Sequence, residues 1–317
     1  MGVARRVARP ARGRRSLGPR ARNSAETPPD TAAGAGVAGG GGTAPGRGDF
    51  SVLMPVYRGD HVDQAARAFR SVTQDQVLAP AQVVVVRDGP VPARLGALLD
   101  GWAAAGAATV VVLPRNRGLA AALNAGLEAC RFGVVARQDA DDVSYPARFA
   151  RQVPLVAGGR LDLVGGWMRE FNQAPGDLGE AVRTYPSGEV AIRRMARLAN
   201  PLAHPTVVFR RDAVLAAGGY REFHHLEDYE LWTRLLQAGA RVGNVPEPLV
   251  NYRVSAAAYR RRGGAKTLRA EWDLQRELRR SGFAGPVARW RNLAVRGGFE
   301  VAPLWLRRLA LSRLLSP

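Results

Sequence analysis

From Phe50 onward, short apolar runs alternate with stretches whose apolar positions recur at helical spacing. Phe50 to Tyr57 reads as a buried strand, and Val62, Ala65, Ala66, Phe69 and Val72 then fall on one helical face. Gln82 to Val86 is a second β-branched run that ends in Arg87-Asp88-Gly89-Pro90. Leu95 to Ala105 is helical, Thr109 to Leu113 is a third strand, and Leu119 to Cys130 is a helix with Leu119, Leu123 and Leu127 in register. Val134-Val135 opens a fourth strand that runs straight into Asp139-Ala140-Asp141-Asp142. This alternation predicts an α/β fold with a Rossmann-like, mainly parallel sheet flanked by helices.

Beyond Pro146 the pattern is more mixed. Helices are expected over Arg148 to Val156, Glu189 to Ala199 and Leu226 to Gln237, the last with Leu231, Trp232, Leu235 and Leu236 on one side. Strands are expected over Leu161 to Phe171 (interrupted at Gly165-Gly166), Thr206 to Phe209, Arg241 to Val245 and Leu249 to Val254. These elements extend the same sheet and build a second face beside its carboxyl edge. The pattern thus divides the chain into a tail (1–48), a catalytic domain (49–255) and a basic helical extension (256–317).

Composition changes this picture in two places. The tail is dominated by Arg, Pro, Gly and Ala, which cannot bury enough apolar surface to offset its ordering entropy, so it reads as disordered. The net charge of +19 suggests nucleic acid until it is divided along the chain. Residues 1–48 carry +7 and residues 256–317 carry +10, which leaves only +2 for the 49–255 body. Nucleic acid is therefore not an expected partner, whereas the basic flanks suit an anionic membrane surface. The single Cys130 excludes an intramolecular disulfide and fits a reducing, cytoplasmic compartment. No run reaches the ~18 apolar residues that a membrane-spanning helix needs, so any membrane association is expected to be peripheral, at the inner face.

The chemistry concentrates at predicted strand ends. The acidic turn Asp139-Ala140-Asp141-Asp142 presents carboxylates at the carboxyl edge of a sheet, where open α/β folds bind their ligands. Hard cations such as Mg2+ or Mn2+ favour such oxygens and complete their shells with substrate phosphates. A loop that merely caps the next helix would use the same residues. Pro55-Val56-Tyr57 ends the first strand with a ring that can stack on a base, and Asp88 ends the second with a carboxylate suited to a base or ribose. Arg115-Asn116-Arg117-Gly118 opens a helix and reads as an anion site built from free amides and two arginines. Glu227-Asp228 starts another helix, a position that favours acids with or without a catalytic role. His224-His225 lacks the i,i+4 spacing of a helical metal site.

Taken in order, these pieces resemble glycosyltransferase family 2, inverting enzymes with a GT-A fold, and in particular bacterial surface-polysaccharide transferases. The resemblance rests on Met54-Pro55-Val56-Tyr57, Val86-Arg87-Asp88-Gly89, the Asn116 to Leu127 segment, the acidic turn, His204-Pro205-Thr206, Glu227-Asp228-Tyr229-Glu230-Leu231-Trp232 and Asn251-Tyr252-Arg253. It covers roughly 49–255. It implies that Pro55, Tyr57 and Asp88 hold the base of a nucleotide-sugar donor, a UDP-sugar favoured, with Arg115 and Arg117 nearby. Asp139 would contact the nucleotide, and Asp141 with Asp142 would bind a divalent metal bridging the diphosphate. Asp228 would be the general base, supported by Glu227, with His204 and Trp232 on the acceptor side. Arg87 stands where the family often has a second acidic residue.

The implied function is metal-dependent inverting transfer of a sugar to a saccharide or lipid-linked acceptor, in polysaccharide or glycolipid biosynthesis. The apolar, basic-edged segment 299–311 suits either the surface of an anionic membrane or packing on the body. Three other readings compete. A sugar-phosphate nucleotidyltransferase would carry a Gly-rich basic loop after the first strand, where Tyr57-Arg58-Gly59-Asp60 stands instead. A nucleic-acid-binding protein acting through its flanks conflicts with the near-neutral body. A dinucleotide oxidoreductase would need a Gly-x-Gly-x-x-Gly turn that the first strand lacks.

Overall fold

The computed structural model describes residues 48–172, 181–254 and 265–285. The tail read over 1–48 lies outside the described residues up to Gly48, as does the segment 299–311. Four strands, β1 (Ser51–Tyr57), β2 (Gln82–Asp88), β3 (Thr109–Leu113) and β4 (Val134–Arg137), alternate with helices α1 (Val62–Val72), α2 (Ala93–Ala104) and α3 (Leu119–Ala129). They pair in parallel in the order β3-β2-β1-β4. The chain therefore winds outward from β1 through β2 to β3, then crosses back to place β4 on the other side of β1. Ligands of open α/β sheets bind at such a switch point, outside the carboxyl ends of the strands.

The second half continues the sheet with mixed pairing. After β5 (Val143–Ser144) and α4 (Arg148–Ala157) come β6 (Leu163–Phe171), β7 (Val182–Arg183), α5 (Glu189–Ala196), β8 (Val208–Arg210), α6 (Arg211–Ala216), α7 (Glu227–Gln237) and β9 (Val242–Arg253). The sheet runs on from β4 as β8-β6-β9-β5, with β8 antiparallel to both β4 and β6. A last helix, α8 (Ala265–Arg280), packs Ala270, Leu274 and Leu278 on Leu226 and Tyr229 at the start of α7.

Three local differences from the sequence reading have physical causes. The two strands expected on either side of Pro246 and Pro248 form one strand, because a register irregularity at Gly166-Trp167-Met168 leaves Pro246, Glu247 and Leu249 without partners in the pairing and sets Pro248 opposite Trp167. Thr206 belongs to a 3-10 turn, His204–Thr206, where its hydroxyl donates to the Ala203 carbonyl, so β8 begins later than expected. The short β5, β7 and α6 have too few residues to show a period.

The core lies on both faces of the sheet, as strand alternation requires. Leu53, Val84 and Val86 face α3 and α7, whereas Val52, Met54, Val83 and Val85 face α1, α2 and α4. Gly126 lets α3 lie close on the sheet, since a Cβ there would come within 2.2 Å of Leu53 Cδ1 and 2.7 Å of Val86 Cγ2. Cys130 is buried, and burial pushes its thiol up to about 12, so it acts as a small core residue.

Candidate active site

A cleft of about 670 Å3 opens at the carboxyl ends of β1, β2 and β4. Pro55, Tyr57, Asp88, Arg117, Asp139, Asp141 and Glu227 all line it. Local turns fix several of these groups. Tyr57 is followed by a turn in which its N–H donates to Asp60 Oδ2 (2.9 Å) while the Asp60 N–H donates to the Tyr57 carbonyl (3.1 Å). The tyrosine ring lies against Gly59, where a Cβ would approach its hydroxyl to 2.4 Å.

Asp88 takes a larger part in the scaffold than the sequence suggested. Its Oδ1 accepts the Arg117 N–H (2.7 Å), and its Oδ2 accepts both the Gly118 N–H (3.0 Å) and Asn116 Nδ2 (3.0 Å). The amides expected to bind a foreign anion at the start of α3 are therefore engaged by the chain's own carboxylate. Gly89, at φ +82°, permits this closure, since a Cβ there would meet the Asn116 nitrogen at 2.4 Å. The Arg117 side chain still borders the cleft, whereas Arg115 is exposed and does not. Arg87 turns away and pairs with Asp100 on α2 at 3.7 Å.

The acidic turn is wrapped around a buried side chain, Gln138. Its Nε2 donates to the carbonyls of Asp139 (3.0 Å) and Asp142 (2.9 Å), and its Oε1 accepts from Ser144 Oγ and Arg148 Nη1, both at 2.8 Å. Arg148 is fully buried and also donates to the Arg137 carbonyl (2.6 Å). Burial, then Arg137, pushes its guanidinium down to about 9, which leaves it charged at neutral pH. Asp141 lines the cleft, and burial followed by repulsion from Asp139 raises its carboxyl to about 6.

Asp142 departs from the expected metal-ligand role. It is fully buried behind the turn, with Oδ1 accepting the Arg253 N–H at 2.8 Å, and it ties β9 to the turn without lining the cleft. Burial and the neighbouring Asp139 and Asp141 hold its carboxyl well above the usual range. The described residues contain no group of three or more His, Cys, Asp or Glu able to hold a metal. Asp139 and Asp141 nevertheless present hard oxygen donors to the cleft. That is enough for a cation whose shell is completed by substrate phosphates and water.

The facing wall comes from the start of α7 and the loop before it, with Glu222, Phe223, His224, His225 and Glu227 bordering the cleft. Burial, followed by the adjacent Asp228, raises Glu227 to about 7. Asp228 is half-buried and does not line the cleft; its Oδ2 accepts Asn200 Nδ2 (2.6 Å) and its Oδ1 accepts the Tyr229 N–H (2.7 Å). Its carboxyl is also raised, by burial.

The expected acceptor-side residues lie deeper. Trp232 has no exposed surface and packs in the core with Leu231 and Leu235, which corrects its assignment to an acceptor surface. His204 meets the Tyr220 hydroxyl through Nε2 at 3.1 Å, and burial, then Arg137, holds it well below the usual imidazole range. It is neutral and supports the wall from behind.

One residue that sequence reasoning passed over joins the two walls. Arg137, at the end of β4, is 2% exposed and ion-paired with Asp139. Burial opposes its charge, but Asp139 more than offsets this and holds the guanidinium above its ordinary value. The same cation pulls down Asp141, Asp142, Glu227 and Asp228, so it offsets carboxylates on both sides of the cleft. Arg137 adjoined the acidic turn in sequence, but its reach to α7 depends on tertiary packing.

Comparison with known proteins identifies this architecture. The model of the Glycosyl transferase family 2 matches residues 51–218. The chain belongs to that family. It is 35% identical over 238 residues to the amylovoran biosynthesis glycosyltransferase AmsE of Erwinia amylovora, covering 74% of this chain and 88% of the relative. It is 33% identical over 235 residues to the UDP-Gal:alpha-D-GlcNAc-diphosphoundecaprenol beta-1,3-galactosyltransferase of Escherichia coli, covering 74% and 84%.

Among solved structures, it resembles a TarS fragment from S. aureus in complex with UDP-GlcNAc, with TM-score 0.57, 16% identity and coverage of 73% and 66%. It spans 39% of a longer TarS chain. The mannosyltransferase PcManGT of Pyrobaculum calidifontis, in complex with GDP-Man and Mn2+, gives TM-score 0.55 at 19% identity, covering 86% of this chain and 78% of that one. The fold is GT-A, and the protein is a glycosyltransferase of polysaccharide or glycolipid biosynthesis.

Proposed function

We propose that this enzyme transfers a sugar from a nucleoside-diphosphate donor, a UDP-sugar favoured, to the hydroxyl of a saccharide or lipid-linked acceptor, with inversion at the anomeric carbon. The observation that carries the reading is a single cleft bordered by Tyr57, Asp88, Asp139 and Asp141 on one side and by Glu227, next to Asp228, on the other. The base stacks on Tyr57, and Asp139 faces the nucleotide. Asp141 would hold Mg2+ or Mn2+; when bound, such an ion neutralises the leaving diphosphate. The S. aureus complex with UDP-GlcNAc and the Pyrobaculum calidifontis complex with GDP-Man and Mn2+ support these choices, as does the diphosphoundecaprenol in the name of the E. coli relative. Action at the inner membrane face would follow from such an acceptor.

Asp228 takes the acceptor proton as the acceptor oxygen bonds to the anomeric carbon. The carbon–oxygen bond to the diphosphate breaks in the same displacement, and the nucleoside diphosphate leaves. Asn200 and the Tyr229 amide fix the orientation of the carboxylate, as a catalytic base requires. Glu227, raised to about 7, shares the proton load of the pair near neutral pH. A screen of nucleotide sugars for hydrolysis and transfer, with and without EDTA, tests the reading. Transfer abolished by EDTA and restored by Mg2+ or Mn2+ is expected, and undiminished turnover in EDTA overturns the metal-assisted mechanism.

A further inference from the structure

The outer face of α8 is sorted by charge. Its inward side chains, Thr267, Ala270, Glu271, Leu274, Gln275 and Leu278, are buried. Lys266, Arg269, Trp272, Arg276 and Arg280 are exposed at steps of three or four residues and form one stripe, with Arg279 at its edge. Asp273 is the one fully exposed carboxylate on the helix, against five exposed cations. Trp272 leaves 43% of its surface exposed within this basic stripe. Helices of the core bury such a ring; an indole set among cations is the combination that lies at a membrane interface.

The position of the stripe gives it a use. On its inner side, α8 shares a hydrophobic cluster with Leu226, Tyr229 and Phe223, and Phe223 borders the cleft next to Glu227. A surface held against α8 therefore lies beside the wall that carries the proposed base. We propose that the outer face of α8 docks on an anionic phospholipid surface through its cations and Trp272, and so holds the acceptor wall at the membrane. The choice of lipid over nucleic acid rests on the indole and on the nearly neutral body, which offers no second basic track. The orientation toward a lipid-linked acceptor rests on the function proposed above, whereas lipid binding does not.

The test uses the full chain and flotation with phosphatidylcholine vesicles, with and without phosphatidylglycerol. The unaltered protein is expected to bind the anionic vesicles in a salt-sensitive way and to leave the neutral ones. Combined Lys266→Gln, Arg269→Gln and Arg276→Gln should weaken this binding about a hundredfold, at roughly fivefold per charge near an anionic surface. Trp272→Ala should weaken it with the charges kept. Transfer to a soluble acceptor and the melting temperature should stay unchanged in both variants. Undiminished flotation of the triple variant would place the binding elsewhere, and tighter binding of duplex DNA than of vesicles at equal salt would identify another partner; either overturns the proposal. Vesicle binding without any sugar transfer by the unaltered chain would instead count against the proposed function alone.

Discussion

The donor wall of the cleft is assembled from the ends of neighbouring parallel strands, whereas the facing wall is a helix start and a loop that reach the site from far along the chain. The donor wall is held by many short polar ties. Asp88 binds three groups of the loop before α3, and Gln138 binds two carbonyls of the acidic turn. The facing wall is more open, with Glu222, His224 and His225 exposed; its two carboxylates, Glu227 and Asp228, are raised by burial, as Asp141 and Asp142 are across the cleft. A rigid polar frame suits holding a charged nucleotide, and desolvated carboxylates suit accepting a proton. Arg137 is the charge that both walls share.

The comparison breaks most sharply at Asp228. Asp228→Asn keeps the size of the side chain but removes the base, and kcat should fall about 10²–10⁴-fold with little change in the KM for donor. A comparable rise in donor KM would show that the two walls are not separate in function. Gln138→Ala probes the other wall from behind, because that side chain orients the acidic turn without touching the cleft. Donor and metal affinity should drop by roughly 10–100-fold, the usual loss when a ligand's supporting contact is removed. Metal titration followed by donor KM would check it.

Gly126→Val tests the packing that carries the donor wall. The added methyls collide with Leu53 and Val86, at a cost of about 1–3 kcal/mol read as a lower melting temperature, while activity per folded molecule persists. Glu227→Gln gives the smallest effect and the finest distinction. Its folded carboxyl titrates near 7, above its ordinary value of 4.5, so its contribution to stability is full below pH 4.5 and is lost as pH rises to 7. The Gln variant should therefore gain stability relative to the parent above pH 7. A stability difference between variant and parent that stays constant from pH 4.5 to pH 7 would contradict the raised Glu227 carboxyl.

Much of the fold was legible because β1 to β4 are local, nearly continuous apolar runs separated by helices. Tyr57, Asp88, Asp139 and Asp141 could be placed at the sheet edge from strand ends alone. Roles that depend on pairing between distant segments could not be placed. Nothing local shows that Asn200 orients Asp228, or that Arg148 reaches back to the Arg137 carbonyl. The helical register already sets Trp232 on one side with Leu231, Leu235 and Leu236, and the structure follows that register into the core rather than the acceptor role that the resemblance implied. Asp142 was misplaced because adjacent carboxylates look equivalent in sequence, although the turn points one to the cleft and the other to β9.

The division of labour between the walls is tested most directly by titrating Asp228→Asn and Asp141→Asn with the nucleoside diphosphate of the donor that the transfer screen selects, in the presence of Mn2+. The account predicts that Asp228→Asn binds the nucleotide as tightly as the unaltered enzyme while its kcat falls about 10²–10⁴-fold, and that Asp141→Asn loses the binding. Nucleotide affinity lost in Asp228→Asn, or turnover retained by it, would contradict the account.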